Sequence, residues 1–443
     1  MQTYLSSSGL GAVLVKAVIG SAGLRIAGMG FSFLVGVQLA RGLGAEGYGV
    51  YGVAMSIIAL LTVPTEFGLP QLLTREIAAA QVAGNWAKLR GVLQWATRAS
   101  LTIALGVAAI VTTWLLVSGQ GLGSPIGITL LIGVAMVPVV AQGNLRSAAL
   151  RGLQHIVKGQ LPDALIRPAM FSALLFAVAL MALTLQPASA MAMAAISAAV
   201  ALVFANVMLK KALPNAALQS QAQAHSRTWW RDALPMALTE GMRVLQSHLV
   251  ILLLGLMSTV ALVGVYRVAS SVTLVMAVPI TLFNLVSAPV ISRLYAGNDG
   301  QRLQRLLSWV AIGMTTSVAV MILPFLFAGH FLLGTVFGSE FADGNSVLLI
   351  LAVGILSNAF FGANATLLNM TGNQGRVTRA SAISLTLLGA LLPPLIWLLG
   401  MLGAAIGSSL ALIAWNVIMW RDASNILTLD TSVISFRPTR KLP

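Results

Sequence analysis

Cysteine is absent from the 443 residues, so no disulfide, thiolate metal site or cysteine nucleophile is available. Charge is scarce as well: Asp, Glu, Lys and Arg make up 8% of the chain, with 11 acidic residues and 4 histidines. No HExxH, Walker A loop, nucleophile elbow or His/Asp cluster with metal-ligand spacing occurs. The histidines are scattered at 155, 225, 248 and 330. No catalytic residue and no metal site are therefore expected. The alternating pattern of a membrane barrel is missing too. So is a basic start followed by a short apolar core and a cleavage site, and the first apolar stretch reads as a retained helix.

What fills the chain is hydrocarbon. Hydrophobic residues are 58% and the mean hydropathy is +0.92, which excludes a soluble globular protein of this length. In a bilayer every backbone polar group must bond within its own segment, and the apolar runs far exceed strand length, so the spans are helices. Twelve are expected, near 13–40, 49–69, 93–117, 127–147, 160–184 and 189–209, then 232–257, 262–290, 306–328, 345–369, 377–399 and 402–421.

The chain also repeats itself. Gly49, Val50, Tyr51, Val53, Ala54, Ser56, Val63 and Pro64 meet identical residues at an offset of 215, from Gly264 to Pro279. Gly84-Asn85 is echoed by Gly297-Asn298, and Arg151-Gly152-Leu153-Gln154 by Thr371-Gly372-Asn373-Gln374. A repeat this long predicts two similar halves rather than a short-repeat solenoid. The expected division is a six-helix lobe over 1–212, a surface linker with an amphipathic portion over 213–231, and a second six-helix lobe with a short tail over 232–443. Pro64/Pro279 and Gly49/Gly264 are expected to bend both halves alike. The fold class is thus all-α: a polytopic membrane protein of about 12 transmembrane helices in two pseudo-symmetric six-helix lobes around a central cavity.

Most basic residues fall in alternate connections. Arg75, Lys88 and Arg90 share one; Arg146, Arg151 and Lys158 another; Lys210, Lys211, Arg227 and Arg231 a third; Arg437, Arg440 and Lys441 lie in the tail. The opposite connections hold only Arg41. By the positive-inside rule both termini are cytoplasmic. The +15 net charge then points to anionic membrane lipids as partners and not to nucleic acid. Ile77–Leu89 and Ser292–Arg305 read as basic amphipathic pieces along the inner surface. The largest opposite connection, Ala328–Asn345, is too short for a catalytic domain.

The charges within the spans carry the functional signal. Arg25 and Arg243 lie roughly 18 and 17 Å into the first and seventh spans, where an ionised side chain needs water or a partner. A guanidinium grips phosphate oxygens in pairs, which makes both candidates for a cationic cavity, with Arg167 and Arg267 in support. Arg267 is near a span end and can snorkel, as can Arg98. Glu240 is three residues from Arg243, so the two can instead neutralise each other. Glu66 stands between Pro64 and Pro70; it can carry a proton, or pair with Arg25 or Arg75. Asn144, Asn284, Asn358 and Asn364 can contact sugar hydroxyls or serve as interhelical glue.

ARGLGAEGYGVYG followed by EFGLPQLLTREIA, within Leu39–Ala78, resembles the start of the bacterial polysaccharide (Wzx-type) flippases, or polysaccharide transporters. Their superfamily includes the multidrug and toxin extruders and the lipid II flippase. The resemblance implies two lobes forming a V with a cationic cavity, in a bacterial cytoplasmic (inner) membrane. It implies a polyprenyl-diphosphate-linked oligosaccharide as substrate, carried from inner to outer leaflet with no cofactor beyond a proton or other ion gradient. A polysaccharide polymerase and a chain-length regulator are the implied protein partners. A multidrug extruder of the same fold, or a membrane polymerase or ligase, are the alternatives. The first calls for a carboxylate-lined cavity, the second for a large external loop.

Overall fold

A computed structural model describes residues 7–119, 123–223 and 226–434, with side chains of 7–19, 22, 226 and 227 left aside. Lys16, His225, Arg227, Arg437, Arg440 and Lys441 lie outside the described residues or side chains. Among the described residues every regular element is helical. The order is α1 (Ser7–Glu66), α2 (Leu69–Val82), α3 (Trp86–Val117), α4 (Pro125–Gly152), α5 (Ile156–Leu161), a π turn (Pro162–Ile166), α6 (Arg167–Leu180), α7 (Pro187–Ala212) and α8 (Asn215–Gln219). It continues with α9 (Ser226–Met257), α10 (Val260–Met276), α11 (Val278–Ala296), α12 (Gly300–Phe337), a 3-10 turn (Ser339–Gly344), α13 (Asn345–Phe360), α14 (Asn364–Met370) and α15 (Gln374–Leu427).

Ten of these helical stretches are long and apolar enough to cross a membrane. Two do so twice. α1 breaks at Gly44 (φ 67°, ψ −178°) and α15 at Gly400 (φ 56°, ψ −130°), backbone conformations open to glycine. The twelve expected spans follow, with the eleventh-to-twelfth turn reduced to a single residue. The stretch expected as the largest opposite connection is itself helical: α12 bends at Ala328 (φ −132°) and runs on to Phe337.

The chain forms two compact units, Met1–Leu43 with Val50–His248, and Gly44–Gly49 with Leu249–Pro443. In the first, α4 is the central helix, packed on α2, α3 and α7. Leu69, Leu72, Leu73 and Ile77 are fully buried in that core, so one face of α2 packs on the unit, and the turn at Gly84 divides the piece expected over Ile77–Leu89 between α2 and α3. The connection expected as a surface linker is pinned down. Arg90 donates to the carbonyls of Leu218 and Ser220 at 2.5 and 2.8 Å, and the Gln223 N–H donates to Ala87 at 3.1 Å. In the second unit α13 packs between α12 and α15. There the segment from Ala45 to Gly49 lies against Val260–Gly264 with reciprocal glycines. A Cβ on Gly49 would sit 1.7 Å from the Val260 oxygen, and one on Gly264 2.0 Å from the Ala45 oxygen.

The repeat is plainest in the turns. Four connections close alike: a left-handed residue ends one helix, and the N–H after it reaches back to a carbonyl five residues earlier. The left-handed residues are Gly84 (φ 64°), Gln154 (64°), Asn298 (53°) and Gly372 (80°). The bonds run from Asn85 to Ala80 (2.9 Å), His155 to Leu150 (2.9 Å), Asp299 to Leu294 (3.0 Å) and Asn373 to Leu368 (2.8 Å). This Schellman geometry satisfies the orphan carbonyls of a helix end. The residue after it then caps the next helix: Asn85 accepts from the Lys88 N–H and Asp299 from that of Arg302. The structural register is Gly84 with Asn298 and Gln154 with Gly372, one and two residues away from the echoes in the letters.

The expected equal bends at Pro64 and Pro279 are not found. Pro64 stays inside α1, which ends at Glu66 in two left-handed residues, Phe67 (φ 42°) and Gly68 (φ 69°). In the other half the break is at Ala277, with Pro279 in the first turn of α11.

Gly84→Ala should cost about 1 kcal/mol, because a Cβ there meets no atom within 4 Å and only backbone strain opposes it. Gly49→Ala should cost clearly more, since its Cβ lands on a carbonyl oxygen. Gln154→Gly should stabilise by about 0.5–1 kcal/mol. Thermal melts of the three variants in one detergent test this order.

Candidate functional site

The left-handed pair Phe67-Gly68 turns the chain at the end of α1. A Cβ on Gly68 would approach the Ala233 oxygen and the Ala237 nitrogen on α9 to 2.6 Å, so the turn sits directly on that helix. Glu66, just before the turn, is thereby fixed beside α4, where Asn144 Nδ2 donates to its Oε1 at 2.5 Å. Ser147 and Arg151 follow Asn144 on one helix face, three and seven residues on. Ser147 donates to Asp163 at 3.0 Å, and Asp163 stands in the π turn, a local widening of the helix that re-aims its side chains. Glu240 of α9 completes a cavity of about 200 Å³ lined by Glu66, Gly68, Pro70, Gln71, Asn144, Arg151 and Glu240.

The electrostatics are those of a mixed cluster. Glu66 lies in the fields of Glu240, Asp163 and Arg243, and Arg151 in those of Asp163 and Glu66. Arg243 grips the Glu240 carboxylate through Nε, at 3.0 Å from one oxygen, and through Nη2. Of the two openings the sequence left for Arg243, pairing is the one observed. Glu66 pairs with neither expected arginine. Arg75 is taken by Asp232 and Glu76, and Glu76 also holds Lys88 at 2.7 Å. Three carboxylates and two guanidiniums leave the cluster one negative charge when all are ionised, and neutral when one carboxyl holds a proton.

Arg25 is exposed on α1, whereas Ser21, Leu24 and Gly28 are buried, and among the described residues it has no ion pair. Arg167 opens α6 and is half-buried. Arg267, Asn284, Asn358 and Asn364 are in the second unit. Arg267 lies over the Tyr48 ring at 5.0 Å, so a cation–π contact holds it instead of free snorkelling. Asn284 accepts from Thr366 at 2.7 Å. Asn364, 2% exposed, bonds Asn416 and its own neighbour Ala365, the interhelical-glue role. Asn144 is committed to Glu66, and Asn358 is half-buried on α13.

Sequence reasoning missed Arg151 and Asp163. The connection expected to hold Arg146 and Arg151 is helical as far as Gly152, so α4 contains both. The signal was present: Asn144, Ser147 and Arg151 make a polar stripe at helical spacing, and Asp163 follows a proline inside an apolar run.

Residues 14–295 match the family described as polysaccharide biosynthesis protein. No curated protein matches the chain. Among solved structures, the inward-facing form of a multidrug resistance MATE family transporter of the MOP superfamily superposes with a TM-score of 0.69 at 14% identity, over 91% of this chain and 97% of that one. The lipid II flippase MurJ in an inward closed conformation gives 0.70 at 13% identity, over 93% and 87%. A MOP superfamily transporter from Pyrococcus furiosus gives 0.62 at 14%, over 93% and 95%. At such identities the likeness is one of fold.

Asn144→Leu should destabilise by about 1–3 kcal/mol, because it leaves the Glu66 carboxylate without its donor. Glu66→Gln, which keeps a polar partner for Asn144, should cost less. Melting temperatures of the two variants against the parent decide this.

Proposed function

The chain belongs to the polysaccharide biosynthesis protein family, and from that premise we propose that it is a flippase rather than an enzyme. Its cargo is a polyprenyl-diphosphate-linked oligosaccharide, moved by alternating access from the inner to the outer leaflet of a bacterial cytoplasmic membrane. The glycan serves a cell-surface polysaccharide such as an O-antigen or exopolysaccharide, and both termini are cytoplasmic. The observation that carries the reading is the family match on a chain with the MOP transporter fold. The arginines within its spans add a physical reason: a diphosphate crosses hydrocarbon only where fixed cations replace its water. Arg25, Arg167 and Arg243 bind the diphosphate, with Arg267 as a further contact. Glu66, with Glu240 beside it, takes up the coupling proton, since one proton brings their cluster to neutrality. A polysaccharide polymerase and a chain-length regulator are the partners that would receive the product.

The carboxylates lining the cavity favour one other reading, an extruder of organic cations. Reconstitution separates the two. A fluorescent polyprenyl-diphosphate oligosaccharide in proteoliposomes should change leaflet under an imposed proton gradient. Arg25→Ala with Arg243→Ala should slow that movement by roughly 10²-fold or more, from the loss of two charge-assisted contacts. Glu66→Gln should abolish the gradient's effect. Parental rates in the double variant would overturn the site. Efflux of a cationic dye with no lipid movement would establish the extruder.

A further inference from the structure

Arg146 has no counterpart in the cluster just described. It lies on α4 with its guanidinium held on three sides by neutral oxygens. Nε donates to Asn206 Oδ1 on α7 at 3.0 Å, and Nη1 donates to Gln142 Oε1 at 2.7 Å and to Thr97 Oγ1 on α3 at 3.2 Å. Gln142 in turn donates to the Thr97 carbonyl at 3.2 Å. These groups orient the cation but do not neutralise it. Among the described residues no carboxylate pairs with Arg146, and α3, α4 and α7 contain no Asp or Glu at all. Nη2 makes no bond to any described residue, so two N–H donors of a fixed fork remain for an anionic oxygen. A half-buried cation among neutral partners keeps a desolvation cost that an anion would offset.

The surroundings say which anion. Arg146 and Asn206 each lie six residues from the ends of α4 and α7, roughly 9 Å along the helix, on the face bearing the basic connections. Arg98 follows Thr97 on α3 and Lys210 is one turn beyond Asn206 on α7; both are exposed. Away from that face the same two helices expose apolar side chains: Leu101 and Leu105 on α3, Val203 on α7. A charged head above and an apolar track beneath is the pattern of a phospholipid, not of a free ion.

We propose that Arg146 anchors the phosphate of an anionic phospholipid on the α3–α4–α7 surface, with Arg98 and Lys210 at the rim. The acyl chains lie along Leu101, Leu105 and Val203. This site belongs to the first unit alone and is independent of what the protein transports.

Purified protein titrated with phosphatidylglycerol, phosphatidylcholine or inorganic phosphate tests it, read by native mass spectrometry and by melting temperature. Phosphatidylglycerol should bind and raise the melting temperature more than phosphatidylcholine, and inorganic phosphate should not. Arg146→Gln should weaken phosphatidylglycerol roughly tenfold and leave phosphatidylcholine unchanged. Arg98→Gln with Lys210→Gln, at exposed positions, should weaken it severalfold and decides the matter if Arg146→Gln fails to fold. Unchanged phosphatidylglycerol binding in the folded variants overturns the proposal. Equal stabilisation by inorganic phosphate would also overturn it, by marking a free-anion site.

Discussion

Every break in an apolar helix strips backbone N–H and C=O groups of their partners where no water replaces them. The structure is arranged around meeting that constraint. At Gly44 the helix resumes with the Ala45 N–H donating to Glu340 Oε2 at 2.7 Å, so one carboxylate caps a 22-residue span. Tyr48, one turn on, lies edge-on to Phe341 and under Arg267, and Gly49 closes on Val260. The break between α13 and α14 is met differently. Thr428 (φ 55°) turns the chain back after α15, and Gln304 exchanges two hydrogen bonds with the Asp430 backbone, at 2.6 and 3.0 Å. The Val433 N–H then donates to the Phe360 carbonyl at 3.1 Å, near the end of α13. The last described residues are thus structural partners of a broken helix, which a free tail would not supply.

The same constraint shapes the candidate site. Glu66 could not sit at a helix end among four other ionisable groups unless the chain left α1 sharply. Phe67 and Gly68 provide that exit, with Gly68 pressed on α9 so closely that a side chain would displace it. The π turn does similar work from the other side. It sets Asp163 against Ser147, and a Cβ on Gly28 of α1 would fall 1.9 Å from the Ala164 carbonyl oxygen. Both departures from regular helix bring carboxylates toward α4, the helix that carries Asn144 and Arg151.

Long-period features were legible in the letters. The spans, the two-fold repeat and the turn glycines follow from hydropathy and spacing, which depend on neighbours along the chain. Partners across the fold did not follow. Nothing local says that Glu66 meets Asn144, that Arg267 lies over Tyr48, or that the helix of Arg146 runs on to include Arg151. The Gly84-Asn85 echo shows the limit well: Gly297-Asn298 matches it in letters, but the left-handed position falls on Asn298 and the cap on Asp299. Asparagine and glycine both tolerate that conformation, so the letters can slide while the turn stays.

Charge, finally, is distributed in a way composition alone could not reveal. Glu46 aside, the carboxylates are spent on the chain itself. Glu76, Asp232, Glu240 and Asp422 hold arginines, and Asp299 holds one while also capping a helix, as Glu340 does. Asp163 and Asp430 bind side chains, Glu66 binds Asn144, and Asp343 stands 3.4 Å from His330. With ten of the 11 acids so committed against 26 basic residues, Arg25, Arg146 and Arg167 are left with no carboxylate among the described residues. Cations in or near hydrocarbon do not stay uncompensated. Water in a cavity or an anion from outside the polypeptide meets that need, and the phosphates proposed at Arg25, Arg167 and Arg146 would be such anions.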